Sequence, residues 1–89
     1  MNISDYFKFI DQVEPFIETK LIKDARTIEY GQWEVPFEGL LLELIKLPSS
    51  DININFQLVK NLADDAGIIK SSILTLDTWE NFENWMRKK

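Results

Sequence analysis

The chain has 89 residues, and histidine and cysteine are both missing from it. Without histidine there is no Ser-His-Asp or Cys-His nucleophilic site, and most zinc sites are excluded. Without cysteine there is no disulfide, thiolate nucleophile or iron–sulfur ligand, which leaves the redox compartment open. Any chemistry would have to rest on carboxylates, lysine or tyrosine. We therefore expect a protein that is not an enzyme and that needs no cofactor and no metal ion.

Basic residues are also scarce. Ten Lys and Arg stand against fifteen Asp and Glu, which gives a formal charge of −5 and a pI near 4.6. Nucleic acids and anionic membranes attract basic surfaces, so we expect direct binding to neither. The acidity suits a basic protein partner, and in isolation we expect a monomer or a weak dimer.

Long hydrophobic runs are absent. The richest one, residues 35–47, is too short to span a bilayer and is interrupted by Glu38, Glu43 and Lys46. The N-terminus lacks the basic and apolar regions of a signal peptide, so we expect a cytoplasmic protein. With 45% hydrophobic residues, the chain can form a small core. We expect one all-α domain over residues 1–89, a compact bundle of about four to five short helices.

Apolar residues recur at three- and four-residue steps, the spacing of amphipathic helices. This pattern predicts a first helix from about Ile3, and Pro15 either kinks it or begins a new one. A second helix follows, and a third has Pro36 in its first turn. A fourth has an apolar stripe that includes Leu58 and Leu62. The last contains residues 79–86, with Trp85 at the border of its apolar face.

The helix ends carry their own signals. Ser4 is the expected N-cap of the first helix, and Gly31 the expected stop of the second. Asn53 or Asn55 caps the fourth helix, which Gly67 ends. Residues 68–76 are rich in aliphatic side chains but have no evident partner strand, so we expect a connector. Asp77 and Glu80 form the pattern of a capping box before the last helix.

Two patterns of polar side chains have simpler explanations than a metal site or a catalytic site. Asp51, Asn53 and Asn55 have the spacing of the first ligands of an EF-hand calcium loop. The sixth position, however, is Phe56 rather than Gly, and the twelfth is Leu62 rather than Glu, so helix capping is the better interpretation. The neighbouring Asp64 and Asp65 diverge by about 100° on a helix, which fits a solvated face better than an acid–base pair.

The informative segment is residues 27–45, which contains four glutamates and no Lys or Arg, with Tyr30, Trp33 and Phe37 interleaved among the acids. One interpretation is structural: Trp33 packs at the start of the third helix, and the glutamates favour its positive end. The other is that an acidic, aromatic surface binds a basic protein, because Trp and Tyr are effective anchors and acids accelerate encounter. Residues 71–86 also contain acids and no base.

Residues 31–40 read Gly-Gln-Trp-Glu-Val-Pro-Phe-Glu-Gly-Leu. This segment resembles the Gly-Glu-aromatic-x-aliphatic-Ala-x-Glu-x-Leu element of small helical bacterial immunity proteins, of the MafI type and of related contact-dependent inhibition systems. Gln32 and Pro36 differ from the usual Glu and Ala. The resemblance extends in order and spacing from about Ile22 to Met86, and includes a closing Asp-x-Trp at residues 77–79.

The resemblance implies an immunity protein that binds and neutralises the toxic C-terminal domain of a polymorphic or contact-dependent inhibition toxin, commonly a basic nuclease. Such a protein acts by stoichiometric binding and not by turnover. The alternatives are a helical adaptor or regulatory subunit for a basic protein and, more remotely, a carboxylate-based hydrolase. The residues predicted to contact the toxin are Tyr30, Trp33, Glu34, Glu38, Glu43, Asp77, Glu80 and Glu83.

Overall fold

A computed structural model describes residues 1–27 and 32–88, and within them the chain is all-α, as predicted. Two short 3₁₀ turns, Glu14–Phe16 and Ser49–Asp51, accompany the helices. Among the described residues, no helix is both long and apolar enough to cross a membrane. The described residues form five α-helices, which are α1 (Ile3–Val13), α2 (Thr19–Arg26), α3 (Glu34–Ile45), α4 (Phe56–Ala66) and α5 (Thr78–Arg87).

The third helix is the centre of the packing. It contacts α2 and α5, while α1 packs against α2 and α4. Phe37, Leu40, Leu41 and Leu44 recur at three- and four-residue steps along α3 and are at most 1% exposed. Burying this stripe removes apolar surface from water, which is the main force favouring the folded state.

Aromatic side chains fill the core in two groups. In the first, Tyr6 and Phe9 of α1 meet Trp33 and Phe37, with centroids 5.4 Å apart for both Tyr6–Trp33 and Phe9–Phe37. The second group lies between α4 and α5, where the ring of Trp79 is 5.8 Å from Phe56 and 5.7 Å from Phe82. Trp85 belongs to this group too, since its ring is 5.5 Å from that of Phe82.

Polar tips of core aromatics are hydrogen-bonded to the backbone, as buried polar groups require. The Tyr6 hydroxyl donates to the Ala25 carbonyl at 2.7 Å, which joins α1 to α2. The Trp85 indole N–H donates to the Leu47 carbonyl at 2.8 Å, which joins α5 to the segment that follows α3. Trp85 is 6% exposed and therefore lies in the core and not at its border.

Several helix ends follow the sequence prediction. The Asn55 side chain accepts the Leu58 N–H at 3.1 Å and caps α4. Gly67 ends α4 in the left-handed conformation with φ 77°, and the Ile68 N–H donates to the Ala63 carbonyl at 3.2 Å. Pro15 lies in a separate 3₁₀ turn after α1, and Pro36 lies in the first turn of α3.

Other end signals were wrong. Asn2, and not Ser4, caps α1, because its side chain accepts the Asp5 N–H at 3.2 Å. The second helix ends at Arg26, and Gly31, its predicted stop, lies outside the described residues. The capping box at α5 does not form: Asp77 has a positive φ of 61° and its side chain caps no N–H. Instead, the Ser72 hydroxyl accepts the Thr78 N–H at 3.0 Å.

Replacing Phe37, which is fully buried, by Ala should reduce the free energy of unfolding by about 3–5 kcal/mol, because it removes aromatic contacts and leaves a cavity. That loss is a large part of the roughly 5–15 kcal/mol typical of a folded domain. Urea denaturation followed by circular dichroism measures it. The matched control is Phe16→Ala, at a side chain that is 40% exposed, which should cost much less. Equal losses in the two variants would contradict the described core.

Candidate protein-interaction surface

The aromatic residues predicted as contact anchors are not on the surface. Trp33 is 5% exposed, with its ring packed against Tyr6 and Phe37. Trp79 and Trp85 are equally buried. Tyr30 lies outside the described residues. The tryptophans therefore form the core, and a contact surface must take its apolar part from other side chains.

The predicted glutamates of α3 do not share a face. Glu34 and Glu43 are nine positions apart, which at about 100° per residue places them on opposite sides of the helix. Glu34 is half-buried at the helix start, and its carboxylate accepts the Trp33 N–H at 3.1 Å. Burial raises the pKa of the Tyr6 phenol to about 12, and the charge of Glu34 adds to this rise. Glu43 pairs with Lys46 at 3.3 Å.

Glu38 is completely buried, although sequence analysis placed it among the contact residues. Its Oε1 accepts the Ile73 N–H at 2.8 Å, and its Oε2 accepts the Leu74 N–H. No buried side-chain oxygen or nitrogen in the described chain lacks a hydrogen-bond partner. Burying a carboxylate is costly unless its oxygens are satisfied, and here two backbone donors satisfy them. Glu38 thus holds the backbone between α4 and α5 and is unavailable to a partner in this conformation.

Glu38 holds the segment between α4 and α5, residues 67–77, which we call the connector. The connector forms turns and bends and no strand, as predicted. Ile68 is buried, and the Ser71 N–H donates to the Gly67 carbonyl at 3.2 Å. At the other end, the hydroxyls of Thr75 and Thr78 are 2.9 Å apart. The connector backbone is therefore fixed at both ends and in the middle.

The structure brings together the three acids predicted on the last helix. Asp77, Glu80 and Glu83 line one shallow concavity of about 280 Å³, together with connector residues that include Lys70 and Leu76. Asp77 and Glu80 are exposed, and in the described part of the chain neither forms an ion pair. Glu83 is 3.7 Å from Arg87 in an exposed pair that contributes little energy. The positive end of the α5 dipole stabilises the carboxylates that lie nearest to the start of that helix.

Exposed aliphatic side chains are the feature that sequence analysis missed. Leu76 is 88% exposed, and Ile73 and Leu74 are about half exposed. The only signal in the sequence was an aliphatic run, residues 68–76, with no helical stripe and no partner strand. A buried carboxylate on α3 could not be paired with that run from the sequence, because the two lie 35 residues apart.

The chain was compared with known protein families, curated proteins and solved structures. No protein-family model matches the chain, and no significant match is found among curated proteins or solved structures.

Replacing Glu38 by Gln should loosen the connector, because the amide NH₂ cannot accept one of the two backbone N–H groups. Leaving a buried donor unsatisfied costs about 1–3 kcal/mol. We expect faster hydrogen exchange at the amides of Ile73 and Leu74, measured by NMR, and a lower free energy of unfolding. The matched control is Glu43→Gln on the same helix, whose side chain is 38% exposed. Unchanged exchange at both amides in Glu38→Gln would contradict the assigned role.

Proposed function

We propose that this protein is an immunity protein: it binds the toxic C-terminal domain of a polymorphic or contact-dependent inhibition toxin and neutralises it. The toxin domain is a basic nuclease, and binding is stoichiometric. The observation that carries the proposal is the concavity between the connector and α5, where the exposed carboxylates of Asp77 and Glu80 adjoin Glu83. The resemblance of residues 31–40 to immunity proteins supplies the biological class.

The charge distribution supports a basic partner. Three acids and one base, Lys70, line the concavity, so its charge is negative even though Arg87 pairs with Glu83. A nuclease domain needs a basic surface to bind nucleic acid phosphates. Carboxylates presented along one helix can occupy that surface and keep the substrate out. Electrostatic attraction also speeds encounter, with association rates of up to about 10⁸–10⁹ M⁻¹s⁻¹ at low salt.

Binding without turnover is consistent with the arrangement of the candidate acids. The acids of α3 are either buried or on opposite sides of the helix, and those of α5 lie in an open surface depression. Capture of a toxin inside a living cell calls for tight binding. A nanomolar dissociation constant corresponds to roughly −12 kcal/mol. An interface of ordinary size, about 800 Å² on each partner, can supply this affinity when it contains a well-packed centre.

The test is a survival assay in a bacterial host. The chain is co-expressed with the C-terminal domain of a large secreted protein encoded immediately upstream. The proposal predicts survival that depends on this particular domain. Undiminished toxicity at equal expression would contradict immunity for that pair. Binding of the domain without protection would favour the adaptor or regulatory subunit.

The acidic surface is tested by charge reversal. The double variant Asp77→Lys/Glu80→Lys should protect poorly and bind the toxin domain more slowly, because attraction is lost at the interface. The control Glu18→Lys/Asp51→Lys changes two other exposed acids and raises the net charge equally, from −5 to −1. Association rates measured at low and high salt compare the two. Equal slowing would show that only the overall charge matters and that α5 is not the contact surface.

A further inference from the structure

Exposed apolar side chains are concentrated in the connector. Eight large hydrophobic residues are exposed in the described chain, and four of them lie between α4 and α5. Leu76 is the most exposed of all, at 88%. Single exposed hydrophobic residues are ordinary, but a contiguous apolar patch on a small protein marks an interaction surface. The four connector residues are Ile69, Ile73, Leu74 and Leu76.

These side chains are exposed on an ordered backbone. Glu38 accepts the N–H groups of Ile73 and Leu74, and the Ser72 hydroxyl accepts the Thr78 N–H just after Leu76. A segment held this way has already lost most of its backbone freedom. Docking a partner on it therefore costs less conformational entropy than docking on a loose loop.

The apolar surface continues from the connector onto α3. A Cβ atom at Gly39 would lie 4.0 Å from the Leu74 Cδ1, so the Leu74 side chain rests beside that helix. Gly39 also lines a shallow, mainly apolar groove of about 340 Å³ between α2 and α3. Val35, which is 47% exposed, lies in the same groove. Leu74 thus joins the connector to the groove at Gly39, and we define the apolar surface as Val35 and Gly39 of α3 with Ile73, Leu74 and Leu76 of the connector.

Carboxylates flank this surface on two sides. The acidic concavity, with Asp77 and Glu80, adjoins Leu76, and Asp24 lines the groove beside Val35. Apolar centres with polar rims are the usual composition of protein interfaces. A partner that fits has an apolar patch surrounded by Lys and Arg. A second copy of this chain fits poorly, because each copy carries a net charge of −5 and would bring further carboxylates to the rim.

We propose that the apolar surface of the connector and α3 is the centre of the interface with the basic toxin domain, and that Leu76 and Ile73 are its anchors. This inference rests on the proposed immunity function. Exposed aliphatic residues, and not the buried tryptophans, then form the energetic centre of binding. The acids next to Leu76 form its rim.

The test uses the full chain and the toxin domain of the survival assay. The double variant Ile73→Ser/Leu76→Ser should bind that domain at least about 30-fold more weakly by isothermal titration calorimetry, the loss typical of hot-spot residues. Most of the loss should appear as faster dissociation. The matched control Ile3→Ser/Phe16→Ser changes two other exposed hydrophobic residues, 54% and 40% exposed, and should bind within about threefold of the unchanged chain.

The outcomes separate the two proposals. Protection by the unchanged chain together with unaltered affinity of Ile73→Ser/Leu76→Ser would overturn the assigned interface and leave immunity standing. Failure of the unchanged chain to bind or protect would overturn both. Sedimentation velocity of the free chain tests the competing occupant, and we expect a monomer. If the unchanged chain is a dimer and the Ile73→Ser/Leu76→Ser variant is a monomer, the surface belongs to a second copy and the proposal is overturned.

Discussion

The arrangement of the outer surface depends on one buried carboxylate. Glu38 lies on the central helix and accepts two consecutive backbone N–H groups, of Ile73 and Leu74, from a segment far away in sequence. A buried carboxylate with one unpaired oxygen would be strongly destabilising, so Glu38 needs both of these N–H groups. This interaction fixes the path of the connector over α3. It thereby positions Ile73 and Leu74, whose side chains are about half exposed.

The tryptophans and the aliphatic side chains of the connector lie in opposite environments. All three tryptophans are buried: Trp33 packs against α1 and α3, and Trp79 and Trp85 belong to the aromatic group between α4 and α5. The connector instead exposes leucine and isoleucine on an ordered backbone, next to the acids that begin α5. In the proposed function, the aromatic core provides rigidity. The acids then accelerate encounter, and the aliphatic surface prolongs the contact once it has formed.

Sequence reasoning predicted what depends on local periodicity. It gave the all-α class, the place of Pro36 in the first turn of α3, a cap of α4 at Asn53 or Asn55 and the turn at Gly67, because each depends on residues within a turn or two of one another. It failed where distant parts of the chain meet. The acceptor role of Glu38 depends on a tertiary contact, and the bond from Ser72 to Thr78 displaced the expected capping box. Asp77, Glu80 and Glu83 line one concavity, whereas the acids of α3 do not share a face, and contact of either set with a toxin stays a prediction.

Hydrogen exchange of the chain, alone and in complex with the toxin domain, tests the central claim most directly. Amides buried under a partner exchange more slowly, and the effect can be located along the chain. We predict slower exchange in the complex across the connector and the first turn of α5, and at the start of α3. Protection confined to α1 and α4, with residues 67–80 unchanged, would contradict the claim that this surface receives the partner.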